Sequence, residues 1–263
     1  INVKLPKQKS FKFPKGIFYK PEKKIQLGKK LIYKSVANKN VNKNFKININ
    51  RKAYIKIFNK FKKKIKAGKT YQIKICTKYS NNAIIDPVDF FCRLMKTNLA
   101  PESFLVVDKT YSIISCSPEN LITKKGDFIS TKPIAGTLKK TKDITKKKAL
   151  NFFNKNLKET KEHNMIVDME RSDLSKICVP GSVKIYKKKT VEEYKDLYHY
   201  VSLVCGRLKK NISNLEIIKS MMPGGSVIGC PKISTLNLLN SQENENRNIY
   251  TGSFGYIKFN GDM

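Results

Sequence analysis

The chain has no apolar run approaching the roughly 20 residues that a membrane-spanning helix needs, so a soluble protein without a membrane partner is expected. It also lacks a charged-then-apolar leader, and its first residue is Ile1 rather than Met, so the sequence reads as an excerpt of a longer polypeptide. Histidine is scarce, with only His163 and His199. The cysteines, Cys76, Cys92, Cys116, Cys178, Cys205 and Cys230, show no C-x-x-C spacing and sit mostly among Ile, Val and Phe. That combination argues against a His/Cys metal site. It points instead to buried free thiols in a reducing compartment, hence a cytoplasmic location. Any metal would be held by oxygen ligands.

Acidic residues are few as well: 20 Asp and Glu stand against 54 Lys and Arg, a formal charge of +34. Such an excess raises the prospect of a phosphate-backbone partner. Almost all of it is Lys, however, with Arg only at Arg51, Arg93, Arg171, Arg207 and Arg247, and the lysines run through Asn- and Ile-rich sequence from end to end. That distribution suggests a coding bias towards A- and T-rich codons rather than a binding stripe. Neither a zinc-finger spacing nor an RNA-binding aromatic signature appears, so no nucleic-acid partner is expected, and a basic nucleic-acid-binding protein is kept only as a distant alternative.

What is present suffices for a core, since 263 residues with 40% apolar content can bury one sizeable interior. Residues 1–50 are Lys- and Asn-rich with short apolar pieces at Ile17-Phe18-Tyr19 and Leu31-Ile32-Tyr33. From Arg51 to Gly68 the apolar spacing predicts an amphipathic helix with a glycine stop, feeding an alternating strand over 71–76. Asp86-Pro87 opens a second helix, and strands are predicted around 104–107 and 111–114. A hairpin then pairs 121–123 with 128–130, which would bring Glu119 and Gly136 towards one end of a sheet.

The organising stretch runs from Thr160 to Gly181. No Gly or Pro interrupts the chain between Leu138 and Val179, so a helix is predicted up to Pro180-Gly181. Glu162, Ile166, Met169 and Asp173 fall on one face of it, two acids among large apolar side chains. An ionised acid on a packed face must meet a cation, a metal or a ligand donor, or else titrate up; a salt bridge to one of the many lysines would serve. Further on, Pro223-Gly224-Gly225-Ser226 precedes Gly229-Cys230-Pro231-Lys232 and an apolar helix, a place where bare N–H groups attract anions.

Taken in order, S-P-E-N (117–120), P-I-A-G-T (133–137), E-H-N-M-I-V-D-M-E-R-S-D-L (162–174), P-G-S-V-K-I (180–185), Y-H-Y-V-S (198–202), P-G-G-S-V-I-G-C-P-K (223–232) and G-S-F-G-Y-I-K-F-N-G-D-M (252–263) resemble the chorismate-utilising enzymes. This is the family of anthranilate synthase component I and aminodeoxychorismate synthase component I. The likeness covers about residues 51–263 and implies an α+β fold. That fold is an anthranilate-synthase-like α/β/β/α sandwich of two antiparallel sheets with outer helices, truncated here at its C-terminus. Residues 1–50 would be the tail of an N-terminal region and 51–263 a chorismate-binding catalytic domain lacking its C-terminal part.

The resemblance implies chorismate as substrate and Mg²⁺ as cofactor, with Glu162 as a metal ligand. Glu119 matches the general acid that protonates the departing C4 hydroxyl, and His199 a ring-side position. Gly136, Thr137 and Tyr256 match substrate-binding positions. Gly225, Ser226 and Lys232 of the glycine-rich loop are taken as further substrate contacts. Gln72 stands where water-adding members carry Lys, which favours amination, with ammonia supplied by a glutamine amidotransferase subunit or fused domain. The product is then 4-amino-4-deoxychorismate, made for folate, or anthranilate plus pyruvate, made for tryptophan. P-G-G-S, M-I-V-D, R-S-D-L and Y-T-G-S-F-G-Y favour the first. Ala135, where the first branch typically has a nucleophilic Lys, favours the second. Because the family continues past G-D-M into a second Mg²⁺-binding Glu, residues 1–263 alone are expected to be inactive.

Overall fold

In a computed structural model the described residues are 20–22 and 44–263, so both apolar pieces before residue 34 lie outside them. After a short strand β1 (Lys46–Ile47), α1 (Arg51–Lys66) starts where the Asn50 side chain accepts the Ala53 N–H at 2.9 Å. It ends two residues before Gly68, whose φ of +70° an L side chain rarely adopts. Two short strands follow, β2 (Gln72–Ile73) and β3 (Tyr79–Ser80). Helix α2 (Pro87–Thr97) opens on an Asp86 cap with proline in its first turn, as the sequence indicates. Strands β4 (Glu102–Val107) and β5 (Ser112–Ser117) pair antiparallel.

Strands β6 (Asn120–Lys125), β7 (Phe128–Lys132) and β8 (Ile134–Lys139) come next, β7 and β8 separated only by Pro133. Two helices succeed them where the sequence suggested an unbroken stretch: α3 (Lys146–Lys155) and α4 (Leu157–Ile177). Asn156 makes the break. Its side chain turns back to accept the N–H groups of Lys158 and Glu159, so a polar cap does what Gly or Pro would otherwise do. The long antiparallel pair β9 (Lys184–Glu193) and β10 (Leu197–Arg207) leads to α5 (Asn214–Met221), the single turn α6 (Gly225–Ile228), β11 (Gly229–Cys230) and α7 (Lys232–Asn240).

The fold is α+β with antiparallel pairing throughout. β10 is its spine: β7 and β8 lie end to end along one edge, through Val204–Arg207 and Leu197–Val201, and β9 covers the other. β6 extends this five-stranded sheet beyond β7. Among the described residues the remaining strands form two-stranded pieces, β1 with β3, β2 with β11 and β4 with β5. Helix α4 lies against β10 and β8 and drives Val167, Leu174 and Ile177 into a cluster with Ile129, Val204, Ile217 and Met221. A second cluster, Phe153, Val191, Tyr198 and Tyr200, fills the space under α3, with Phe153 stacked on Tyr200 at 4.9 Å. Fully burying each such side chain contributes about 2 kcal/mol.

The strand predicted over 71–76 is ladder-paired only at Gln72–Ile73, because its partner β11 is two residues long. That pairing depends on Gly229, whose φ is +131° and whose missing Cβ would fall onto the Gln72 carbonyl. Gly229→Ala is therefore expected to lower stability by at least about 2 kcal/mol in denaturant titration. Gly255→Ala, facing open space, should stay within about 0.5 kcal/mol of wild type.

Candidate active site

Glu162 on α4 faces β2. Gln72 Nε2 donates to Glu162 Oε1 at 2.7 Å, and Lys74 Nζ lies 3.9 Å from the same oxygen. The acid thus has an amide donor and a lysine, the simplest of the solutions open to it. Tyr71, Gln72, Lys161, Glu162 and Met165 line an open cleft of about 260 Å³. The backbone that presents Lys74 is held from two sides. Its N–H donates to the Ile228 carbonyl at 3.0 Å and its carbonyl accepts from Arg247 Nη2 at 2.8 Å. Arg247 is in turn clamped by Glu243.

Gln72 Oε1 is buried and meets no donor among the described residues. An orphaned acceptor beside a carboxylate suits a hard cation carrying its own waters, which would donate to that oxygen while the ion sits against Glu162. No group of three or more His, Cys, Asp or Glu able to hold a metal occurs among the described residues. With Glu162 as its carboxylate, the donor set would fit an ion such as Mg²⁺ only with most of its shell supplied by water and ligand oxygens.

Glu119 immediately precedes β6. Cross-strand register sets Asn120 opposite Lys132, so the acid and the 133–137 segment share one end of the sheet. Burial pushes the Glu119 carboxyl up from its ordinary range, against the Ser226 hydroxyl, the Lys74 charge and the Ile134 N–H, which all pull it down. It thus holds its proton to higher pH than a free glutamate. Lys74 is the cation that Glu119 and Glu162 share.

His199 of β10 pairs in register with Thr137 of β8, and Thr137 Oγ1 lies 3.1 Å from His199 Nδ1. Burial lowers the His199 pKa, favouring the neutral ring. Gly136 has φ +95°, and a Cβ there would come within 3.0 Å of both Glu159 Oε2 and the Phe153 ring. Glu159 sits one turn before Glu162, so Gly136 packs against the same end of α4. Of the glycine-rich loop, Ser226 reaches Glu119 and Gly225 packs closely on Met169. Lys232 is committed elsewhere, ion-paired with Asp173 and donating to the Met221 carbonyl at 3.0 Å. Tyr256 is 70% exposed in the C-terminal coil, where its neighbour Phe254 stacks on Phe104.

Two charged residues escaped the sequence reading. Lys74 carries no signal of its own, being one lysine in a lysine-rich chain. Glu170 does carry one: it lies at i+8 from Glu162 and i+4 from Ile166, on the same stripe. It is 2% exposed, accepts from Thr131 Oγ1 at 3.3 Å, and is pushed up to about 7. Burial is the main cause, opposed by Lys232 and reinforced by Asp173 and Glu119. An acid whose folded pKa lies above its unfolded value stabilises fully below the unfolded value and loses that contribution as pH rises through the folded one. Glu170→Gln should therefore gain stability relative to wild type between about pH 4.5 and 7. The gap should reach roughly 3 kcal/mol above neutrality in denaturant titrations compared at pH 5 and pH 8.

Comparison with known proteins shows the family. The model of the chorismate binding enzyme family matches residues 17–263. Aminodeoxychorismate synthase component 1 of Bacillus subtilis is 34% identical over 205 residues, covering 78% of this chain and 44% of that protein. Anthranilate synthase component 1 of Arthrobacter globiformis is 35% identical over 220 residues, covering 81% and 41%. The crystal structure of anthranilate synthase component I from Streptococcus pneumoniae superposes with a TM-score of 0.76 at 31% identity, covering 84% of this chain and 49% of that one. The chain thus spans less than half the length of these relatives, and within that span it belongs to the chorismate binding enzyme family.

Proposed function

We propose that the protein containing this chain is an aminodeoxychorismate synthase component I, which aminates chorismate to 4-amino-4-deoxychorismate for folate synthesis. The observation that carries the reading is the pairing of a burial-raised acid, Glu119, with a carboxylate, Glu162, across the shared charge of Lys74. Chorismate is a ring dicarboxylate whose C4 hydroxyl is a poor leaving group. Glu119, whose carboxyl burial pushes up from its ordinary range, gives that oxygen its proton so that it departs as water. Glu162 would hold Mg²⁺, which supplies positive charge for the substrate carboxylates. Gly136 lets the backbone approach the ring, and the Thr137 hydroxyl is oriented by a neutral His199. Ammonia, delivered by a glutamine amidotransferase subunit or domain, replaces the hydroxyl at C4 and gives up a proton. The cleft beside Gln72 has no lysine at that position to activate water, which favours ammonia as nucleophile.

A second reading has an observation of its own. Ala135 is 5% exposed and packs with Ile166 and Met169, so position 135 offers no amine to the ring. Single displacement at C2 with loss of pyruvate would then make the protein an anthranilate synthase component I.

Full-length protein incubated with chorismate, Mg²⁺ and ammonium is expected to yield 4-amino-4-deoxychorismate by mass spectrometry. Glu119→Gln should lower kcat by about 100-fold or more. Anthranilate and pyruvate as the only products would move the protein to the second reading. Unchanged chorismate would dismiss both.

A further inference from the structure

The Lys74–Glu162 contact is a poor ion pair by its own geometry. At 3.9 Å it is longer than a hydrogen bond, and the lysine side chain is 42% exposed. The backbone behind it is fixed at both N–H and carbonyl, so the ammonium moves on a flexible stem about a stationary origin. Its charge acts on two acids in different surroundings. Burial raises the Glu119 carboxyl and favours its protonated form, although the Lys74 charge pulls the other way. Glu162 lies on the open cleft, and its Oε1 already takes the Gln72 amide. A divalent cation arriving at Glu162 would repel the lysine, which then stands free in the cleft where a ligand carboxylate enters.

We propose that Lys74 is an exchangeable counter-ion: it neutralises Glu162 in the empty site, yields that place to a divalent cation, and anchors a carboxylate of the incoming ring dicarboxylate. This rests on the chorismate reading for its ligand and on the Glu162 geometry for the exchange. The two are separable by experiment.

Mn²⁺ binding to the full-length protein, followed by electron paramagnetic resonance without organic ligand, reads the exchange alone. Lys74→Met is expected to bind Mn²⁺ about fivefold more tightly than wild type, because the ion no longer has to displace an ammonium, and Lys74→Arg should restore the wild-type value. With Mn²⁺ saturating, Lys74→Met is expected to bind chorismate about tenfold more weakly in calorimetry, again rescued by Arg. Equal Mn²⁺ affinity in wild type and Lys74→Met, including no binding to either, overturns the exchange. An Mn²⁺ effect with chorismate affinity unchanged in Lys74→Met overturns the anchoring role. Wild-type protein that binds Mn²⁺ but no chorismate removes the proposed substrate, and the Mn²⁺ comparison still decides the exchange.

Discussion

An ionised carboxylate on a packed helix face has to be answered by another charge, a dense set of donors or a proton, and α4 turns three acids inward. Each is answered differently. Asp173, 2% exposed, takes Lys232 and Lys176 as ion-pair partners and becomes structural. Glu170 holds its proton up to about pH 7 through burial, with Thr131 as a weak donor. Glu162, at the rim, takes an amide and a loosely held lysine and remains available to an incoming ion. The gradient along α4 from salt bridge to protonated acid to open carboxylate is what makes one end of the helix a site and the other a core.

Those answers come from distant parts of the chain, which is why the fold and the site cannot be separated. β2 supplies Gln72 and is followed directly by Lys74, and it reaches α4 because β11 pairs with it at Gly229. The same loop region brings Ser226 to Glu119 and Lys232 to Asp173. On the other side, Pro133 divides β7 from β8 while both stay paired to β10. Thr131 can therefore serve Glu170 while Thr137, six residues on, serves His199. Repositioning β2, β7 or the start of α7 would take a partner from an acid of α4.

Much of this was legible in the sequence where chemistry is local. The Asp86 cap, the glycine after α1 and the 124–127 turn all follow from residue types and spacing. The break at Asn156 was missed because a side-chain cap leaves no Gly or Pro behind. β2 was overestimated because its length is set by a partner more than 150 residues away. Glu170 was hidden by choosing Met169 as the inward residue when the stripe is wide enough for both, and Lys74 by the abundance of lysine. Long-range charge matching has no periodicity, so it emerges only once the chain is folded.

The central claim is that Glu162 and Glu119 face one ligand. Crystals of the full-length protein soaked with Mn²⁺ and chorismate test it most directly, since Mn²⁺ is located by its anomalous scattering. The account requires the anomalous peak beside Glu162, with the C4 oxygen of the ring within about 3 Å of Glu119. A metal peak against other residues, or a ring bound out of reach of Glu119, would contradict it.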